Sequence, residues 1–168
     1  MKVSSTNVPE VFPFSGPDKN GLRAATMPLL FSADCEIDGV KGKLVFVCRA
    51  GMHYNGASNP LEWPIKNYYG DPKKDCCGLG HDLLYAHGGR VIGLDRRLTA
   101  GECDDFIRGA MREAGFSRTE AGLTDWAVRH FAHWFHFGEK HDKERMHHVS
   151  SITWVPDMTA EEIIEREG

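Results

Sequence analysis

Two apolar segments with β-like character lie within residues 27–50 of the chain. The first runs from Leu29 to Ile37, and the second runs from Lys43 to Cys48 and contains β-branched residues. Asp38-Gly39 and Lys41-Gly42, between them, mark a turn. The pattern therefore predicts an antiparallel β-hairpin with one buried face.

Start and stop signals predict helices further along the chain. Asp71-Pro72 supplies a cap and a first-turn proline for a first helix, and Gly88-Gly89 ends it. A second helix is predicted from the capping box of Thr99 and Glu102 to Gly115.

A third helix is predicted to begin at the capping box of Ser117 and Glu120 and to reach about Phe135. Its apolar side is expected to consist of Leu123, Trp126, Phe131, Trp134 and Phe135. Residues 151–156 are predicted to be extended, and a short final helix is predicted to begin at Thr159.

The remaining segments are rich in turn residues. Residues 1–26 are expected to form an extended arm, anchored by Val11, Phe12 and Phe14, that either straps over the domain or docks on a partner. Residues 51–70 are expected to form a loop beside the first helix, where it would wall or complete a site.

Composition and charge narrow the class of protein. The chain has 168 residues, 41% of them hydrophobic and 26% charged, which is typical of one globular domain. A net charge of −4 argues against nucleic-acid binding by phosphate neutralisation. The five cysteines are an odd number, and neither a secretory leader nor an apolar run of roughly 18 residues is evident, so folding in a reducing cytoplasm is expected.

The first predicted helix concentrates residues capable of acid–base chemistry. At 100° per residue His81 and Tyr85 share a face, and Asp82 lies on its flank. In the second helix the same projection turns Asp104 toward the interior and Asp105 toward water. An imidazole that activates water needs an acceptor on its other ring nitrogen. Asp104 would supply it, and the Tyr85 hydroxyl would hold Asp104.

Each of these groups also has a structural interpretation. The pair of His81 and Asp104 is equally well explained as a buried polar knot that joins two helices. Cys76-Cys77 near His81 and His87 suggests zinc, but adjacent helical cysteines point about 100° apart, so buried thiols are favoured. The third helix carries a repeat of three histidines, His130, His133 and His136. The repeat suggests a metal site, although histidines that pack against neighbouring side chains are the better interpretation.

The order of these motifs resembles a family carried by phages and prophages, the domain-of-unknown-function family 1353. Its pattern is a strand, then roughly V-x-A-G-F-x-T-D-x-A-S-x-P, a helix with H-D-x-L-Y and a helix with an inward Asp. These blocks correspond to residues 47–60, to His81-Asp82-Leu83-Leu84-Tyr85 and to Asp104, with Asn55 in place of the usual Asp. Within a single domain of residues 1–168, the resemblance covers about 27–137 and leaves 1–26 as an N-terminal arm and 138–168 as a C-terminal extension.

The first helix also resembles the active-site helix of the secreted phospholipases A2, whose pattern is C-C-x-x-H-D-x-C-Y. In that family the His is the general base for water, the following Asp binds calcium, a second Asp orients the His, and a Tyr supports that Asp. The resemblance places these roles on His81, Asp82, Asp104 and Tyr85. Three residues rather than two separate Cys77 from His81, Leu84 replaces a Cys, and the glycine-rich calcium loop is not recognisable.

Together these observations predict an α+β fold. An N-terminal β-hairpin or small antiparallel sheet would pack on a three-helix core resembling phospholipase A2. The expected function is a phage-encoded phospholipase A2-like hydrolase in which His81 activates water. Calcium on Asp82, completed by carbonyl groups of residues 51–59, would stabilise the oxyanion.

The expected partners depend on the function. A hydrolase of this type would act on a lipid or membrane surface, and nucleic acid is not expected. The alternatives are a virion or tail-associated structural protein that contacts other virion proteins, and a host-interaction protein that retains the His-Asp pair structurally. The chain would be made in the host cytoplasm and then remain there or enter the virion.

Overall fold

A long β-hairpin forms the centre of the fold. Strands β3 (Leu29–Ile37) and β4 (Val40–Cys48) pair antiparallel over their whole length. Asp38 and Gly39 join them with φ angles of 54° and 81°. Two successive positive φ angles match the twist of a two-residue hairpin turn, which is why the turn tolerates Asp-Gly here. The predicted hairpin is confirmed.

The computed structural model describes residues 1–10, 12–16, 23–54, 72–132 and 150–157. Strand β1 (Lys2–Asn7) pairs with β3, and a C-terminal strand, β6 (Ser150–Pro156), pairs with β4. The resulting four-stranded antiparallel sheet has the order β1-β3-β4-β6. Lys2–Asn7 is therefore a strand of the sheet, where an arm was predicted, and the extended structure predicted for residues 151–156 is confirmed.

A smaller ladder joins the rest of the N-terminal region to the domain. Strands β2 (Arg23–Ala24) and β5 (His53–Tyr54) pair antiparallel. The rings of Phe12 and Phe14 stack with centroids 4.5 Å apart, and both rings contact Tyr54 edge-on. These two aromatic residues anchor the segment as predicted, whereas Val11, residues 55–71 and the helix predicted from Thr159 lie outside the described residues.

In the described part of the chain, three helices follow β5. Helix α1 (Pro72–Ala86) ends before Gly88 and Gly89, both at positive φ. Helix α2 (Ala100–Glu113) begins with the predicted capping box of Thr99. Helix α3 (Arg118–Ala127) begins with the capping box of Ser117. It continues as a π-helical segment over Val128–Ala132, and residues 133–149 lie outside the described part of the chain.

The buried side of α3 differs from the predicted one. Leu123 and Trp126 are 39% and 47% exposed, whereas Ala121 and Asp125 are buried. Small side chains allow α3 to lie close to α2, and Asp125 is paired there with Arg129. The prediction of Leu123 and Trp126 on the buried side is therefore wrong. The side chains of Phe131, Trp134 and Phe135 lie outside the described residues.

Aromatic packing fixes the helices on one face of the sheet. The rings of Phe31 and Phe46 stack with centroids 4.6 Å apart, and Phe106 of α2 lies 5.4 Å from Phe46. Gly80 of α1 lies against the Phe106 ring, where a Cβ atom would be 2.7 Å from the nearest ring carbon. This close approach brings α1 onto α2 beside His81. The fold is α+β, and within the described residues no helix is long and apolar enough to cross a membrane.

Candidate functional site

Helix α1 brings a histidine, an aspartate and a tyrosine to one side of the interior. His81 is 3% exposed, and Tyr85, one turn later, is also buried, with ring centroids 4.3 Å apart. Asp82 lies on the flank of this face, and its side chain is 32% exposed. This arrangement follows from the helical spacing of four residues between His81 and Tyr85.

Helix α2 supplies the partner carboxylate. Asp104 is 1% exposed and points from α2 toward α1. Its Oδ1 atom lies 3.1 Å from Nε2 of His81 and accepts a 2.6 Å hydrogen bond from the Tyr85 hydroxyl. The helical projection that selected Asp104 over Asp105 for the interior is confirmed. The predicted contacts of His81 and Tyr85 with Asp104 are both present.

The two ring nitrogens of His81 face different carboxylates. Nε2 faces the buried Asp104, while Nδ1 lies 3.5 Å from Oδ1 of the partly exposed Asp82. Burial favours the neutral imidazole and by itself would lower the pKa of His81. Hydrogen bonds to Asp104 and to Asp82 have the opposite and larger effect, so the pKa of His81 is raised above its ordinary value. Burial and the hydrogen bond to Asp104 raise the pKa of Tyr85, so its hydroxyl remains a donor.

This geometry can support general base chemistry at one atom. A carboxylate on Nε2 fixes the ring orientation and stabilises the imidazolium that forms when Nδ1 accepts a proton. Because Asp82 is the more exposed neighbour of the ring, Nδ1 is the nitrogen on the side from which water would approach. The arrangement also suits a polar knot between helices, since the whole trio is buried.

A second ionic cluster was missed at the sequence level. Asp105, predicted to be an ordinary surface charge, is partly buried and accepts hydrogen bonds from Arg129 at 2.7 Å and Arg108 at 3.2 Å. Its other oxygen lies 3.5 Å from the Met1 amino group. Arg129 also bonds Asp125 at 2.7 Å. The prediction of an ordinary surface charge at Asp105 is wrong because Arg129, distant in sequence, crosses over it. The sequence signals of this cluster were the i, i+3 spacing of Asp105 and Arg108 and the i, i+4 spacing of Asp125 and Arg129.

The donor set for a calcium ion is incomplete among the described residues. Calcium takes six to eight oxygen ligands, and Asp82 is the one carboxylate of the predicted set. Within the described residues, no group of three His, Cys, Asp or Glu side chains is arranged to hold a metal ion. Residues 55–59, part of the expected carbonyl ligands, lie outside the described part. The residues present do not by themselves fit calcium.

The cysteines and the other histidines have separate environments. Cys76 and Cys77 are buried, as favoured for structural thiols, and burial raises the pKa of Cys76. His130 Nδ1 hydrogen-bonds the backbone carbonyl of Trp126 at 2.8 Å, while His133 and His136 lie outside the described residues.

Comparison of the chain with protein-family models, with curated proteins and with solved structures finds no match.

Proposed function

We propose that this chain is a phage-encoded hydrolase of phospholipase A2 type, in which His81 removes a proton from water. The observation that supports the proposal is the contact between His81 Nε2 and Asp104 Oδ1, which leaves Nδ1, beside the partly exposed Asp82, to face a reactant. The Tyr85 hydroxyl supports Asp104 from the other side. These contacts join the residues to which the resemblance to phospholipase A2 assigns the base, the orienting carboxylate and its supporting hydroxyl, and they support the proposal in that sense.

The proposed reaction is ester hydrolysis by activated water. Nδ1 takes one water proton while the water oxygen bonds to the ester carbonyl carbon. The tetrahedral intermediate then collapses, and the imidazolium returns the proton to the leaving alcohol. Asp104 orients the ring and stabilises its charged form throughout both steps. The substrate class would be a phospholipid, and the partner would be a membrane surface.

Asp82 is the residue through which calcium would act in the proposed reaction. If the ion binds, it would supply positive charge for the carbonyl oxygen of the substrate. Asp82 is the described residue that would hold it, and neither proton transfer depends on the ion. The protein would be made in the host cytoplasm and either remain there or ride in the virion.

Fatty-acid release from phospholipid vesicles tests the proposal directly. The wild-type protein should release fatty acid, and His81→Ala should lose about 100-fold or more of the rate, the size expected for a general base. His53→Ala is a matched control because His53 is exposed on β5. No release by the wild type, or full activity in His81→Ala, would contradict the proposal. Activity that persists without calcium would remove calcium from it.

A second candidate function follows from the burial of the same residues. His81 and Asp104 are buried as completely as core residues, which favours a virion or tail-associated structural protein that keeps the pair as a polar knot. A host-interaction protein could keep it in the same way. Mass spectrometry of purified particles separates these functions, since a fixed, stoichiometric copy number favours the structural role over a catalytic or host-directed one.

A further inference from the structure

We propose that Arg129 is a positioning residue for the pair of His81 and Asp104. It lies on the π-helical segment after α3 and holds α2 at the rotation that directs Asp104 toward His81. The inference rests on the proposed role of His81, but it can be tested on the imidazole itself.

The guanidinium of Arg129 joins two helices. Its Nη2 donates a 2.7 Å hydrogen bond to Asp105 of α2, and its Nε donates a 2.7 Å bond to Asp125 of α3. Nη1 also lies close to Gly101, one turn before Asp105: a Cβ atom added to Gly101 would be 3.7 Å from Nη1. Arg129 therefore lies along the first two turns of α2.

Neighbouring positions on α2 explain why this contact matters for the site. Asp104 and Asp105 point about 100° apart, so one faces α1 and the other faces the segment that carries Arg129. A carboxylate roughly 6 Å from the helix axis moves about 2 Å when the helix turns by about 20°. Such a rotation would break the 3.1 Å contact between Asp104 and His81. Pinning Asp105 thus restricts Asp104.

The backbone around Arg129 provides a second observation. Val128–Ala132 is π-helical, with a wider turn than the α-helix before it. π-helical turns are rare and occur frequently at functional sites. Here the wider turn coincides with the position from which Arg129 reaches across to α2.

The direction in which the pKa of His81 changes distinguishes a positioning role of Arg129 from simple charge repulsion. Removing a nearby guanidinium charge would favour the imidazolium and raise the pKa of His81. Loosening Asp104 would remove a stabilising partner and lower it. Besides Asp104, the titratable groups beside the ring are Asp82 and Tyr85. The charge of Arg129 also reaches Tyr85 and Asp104, so the variant Arg129→Lys, which keeps that charge, separates positioning from a charge effect.

The experiment is an NMR pH titration of ¹⁵N-labelled protein in a calcium chelator, so that Asp82 holds no ion, with the His81 signal assigned by its loss in His81→Gln. In Arg129→Gln the His81 pKa should fall by about half a pH unit or more, in the same direction as in Asp104→Asn. Arg108→Gln is the matched control, because Arg108 contacts the same two carboxylates at the longer distances of 3.2 and 3.4 Å. It should leave the His81 pKa within about 0.2 units.

An unchanged or raised pKa in folded Arg129→Gln would overturn the inference, as would an equal fall in Arg108→Gln. If Arg129→Gln does not fold, Arg129→Lys decides alone. It keeps the charge but cannot donate to both carboxylates in the same fork, so a lower His81 pKa supports positioning and an unchanged one overturns it. Absence of hydrolytic activity in the wild type would contradict the proposed function. It would not affect this titration, which measures the pKa of His81 and not the reaction.

Discussion

The Tyr85 hydroxyl donates a 2.6 Å hydrogen bond to the Asp104 oxygen that also faces His81. One carboxylate oxygen is thus shared by two donors from α1, one turn apart. Because all three side chains are buried, neither donor can be lost without leaving polar atoms uncompensated. The trio is therefore expected to behave as one coupled unit.

A double-mutant cycle on Tyr85 and Asp104 tests this coupling. Tyr85→Phe removes a hydrogen bond to a charged group and should lower the free energy of unfolding by about 1.5–3 kcal/mol. The double variant with Asp104→Asn should lose less than the sum of the single variants, by about 1 kcal/mol. Chemical denaturation measures all four proteins, with the exposed Asp95→Asn as a control. Additive losses would contradict the shared oxygen.

The raised pKa of His81 predicts how stability changes with pH. The folded protein holds the His81 proton to higher pH than the unfolded chain, so this contribution is full below the ordinary pKa of 6.5. It is lost as the pH rises through the folded-state pKa. The free energy of unfolding of the wild type should therefore fall, relative to His81→Gln, over this alkaline window. Denaturation curves from about pH 5.5 to 9 measure the difference, and a difference that grows with pH would contradict it.

The contact between Gly80 and Phe106 predicts opposite effects for two glycine substitutions in helices. A Cβ on Gly80 would lie 2.7 and 2.9 Å from carbons of the buried Phe106 ring, so Gly80→Ala should destabilise the protein by about 1–3 kcal/mol. Gly122 of α3 is exposed, with no atom within 4 Å of its Cβ position, and Gly122→Ala should add up to about 1 kcal/mol. Thermal unfolding of both variants checks the prediction, and stabilisation by Gly80→Ala would show that the ring can move aside.

The hydrogen bonds of Arg96 to two carboxylates predict how the stability of the fold changes in acid. Its guanidinium bonds both oxygens of Asp38 in the hairpin turn and both oxygens of Glu102 at the start of α2. Hydrogen bonding to Arg96 lowers the pKa of Glu102 to about 2. This contribution to stability is present above the ordinary pKa of 4.5 and is lost as the pH falls toward 2.

Arg96→Gln should therefore move the midpoint of acid unfolding to higher pH, as measured by circular dichroism. Arg97→Gln, at the exposed neighbouring position, should leave the midpoint in place. Equal midpoints for Arg96→Gln and the wild type would show that the bridge between the hairpin and α2 contributes nothing in acid.

Local signals explain which parts of the fold were predictable. The capping boxes at Thr99 and Ser117 and the Asp38-Gly39 turn depend on residues within a few positions of each other. The strand Lys2–Asn7 has no such local signal. Val3 is its one buried residue, and its extended conformation depends on pairing with β3. Such an edge strand leaves no apolar run in the sequence.

The same distinction applies to the candidate site. Helical phase was sufficient to choose Asp104 over Asp105 and to place Tyr85 beside His81. It could not show that Arg129, 24 residues further on, would cover Asp105, since that contact depends on how α3 packs on α2. It also could not show how deeply the trio is buried.

The protonation state of the His81 ring tests the central claim most directly. Long-range ¹H–¹⁵N NMR above the His81 pKa shows which nitrogen carries the proton, with His81→Gln to assign the signal. We expect the proton on Nε2, donated to Asp104, which leaves Nδ1 free to accept a proton from water. A proton on Nδ1, directed toward Asp82, would contradict the account, because Nδ1 would then carry a proton and could not accept one from water.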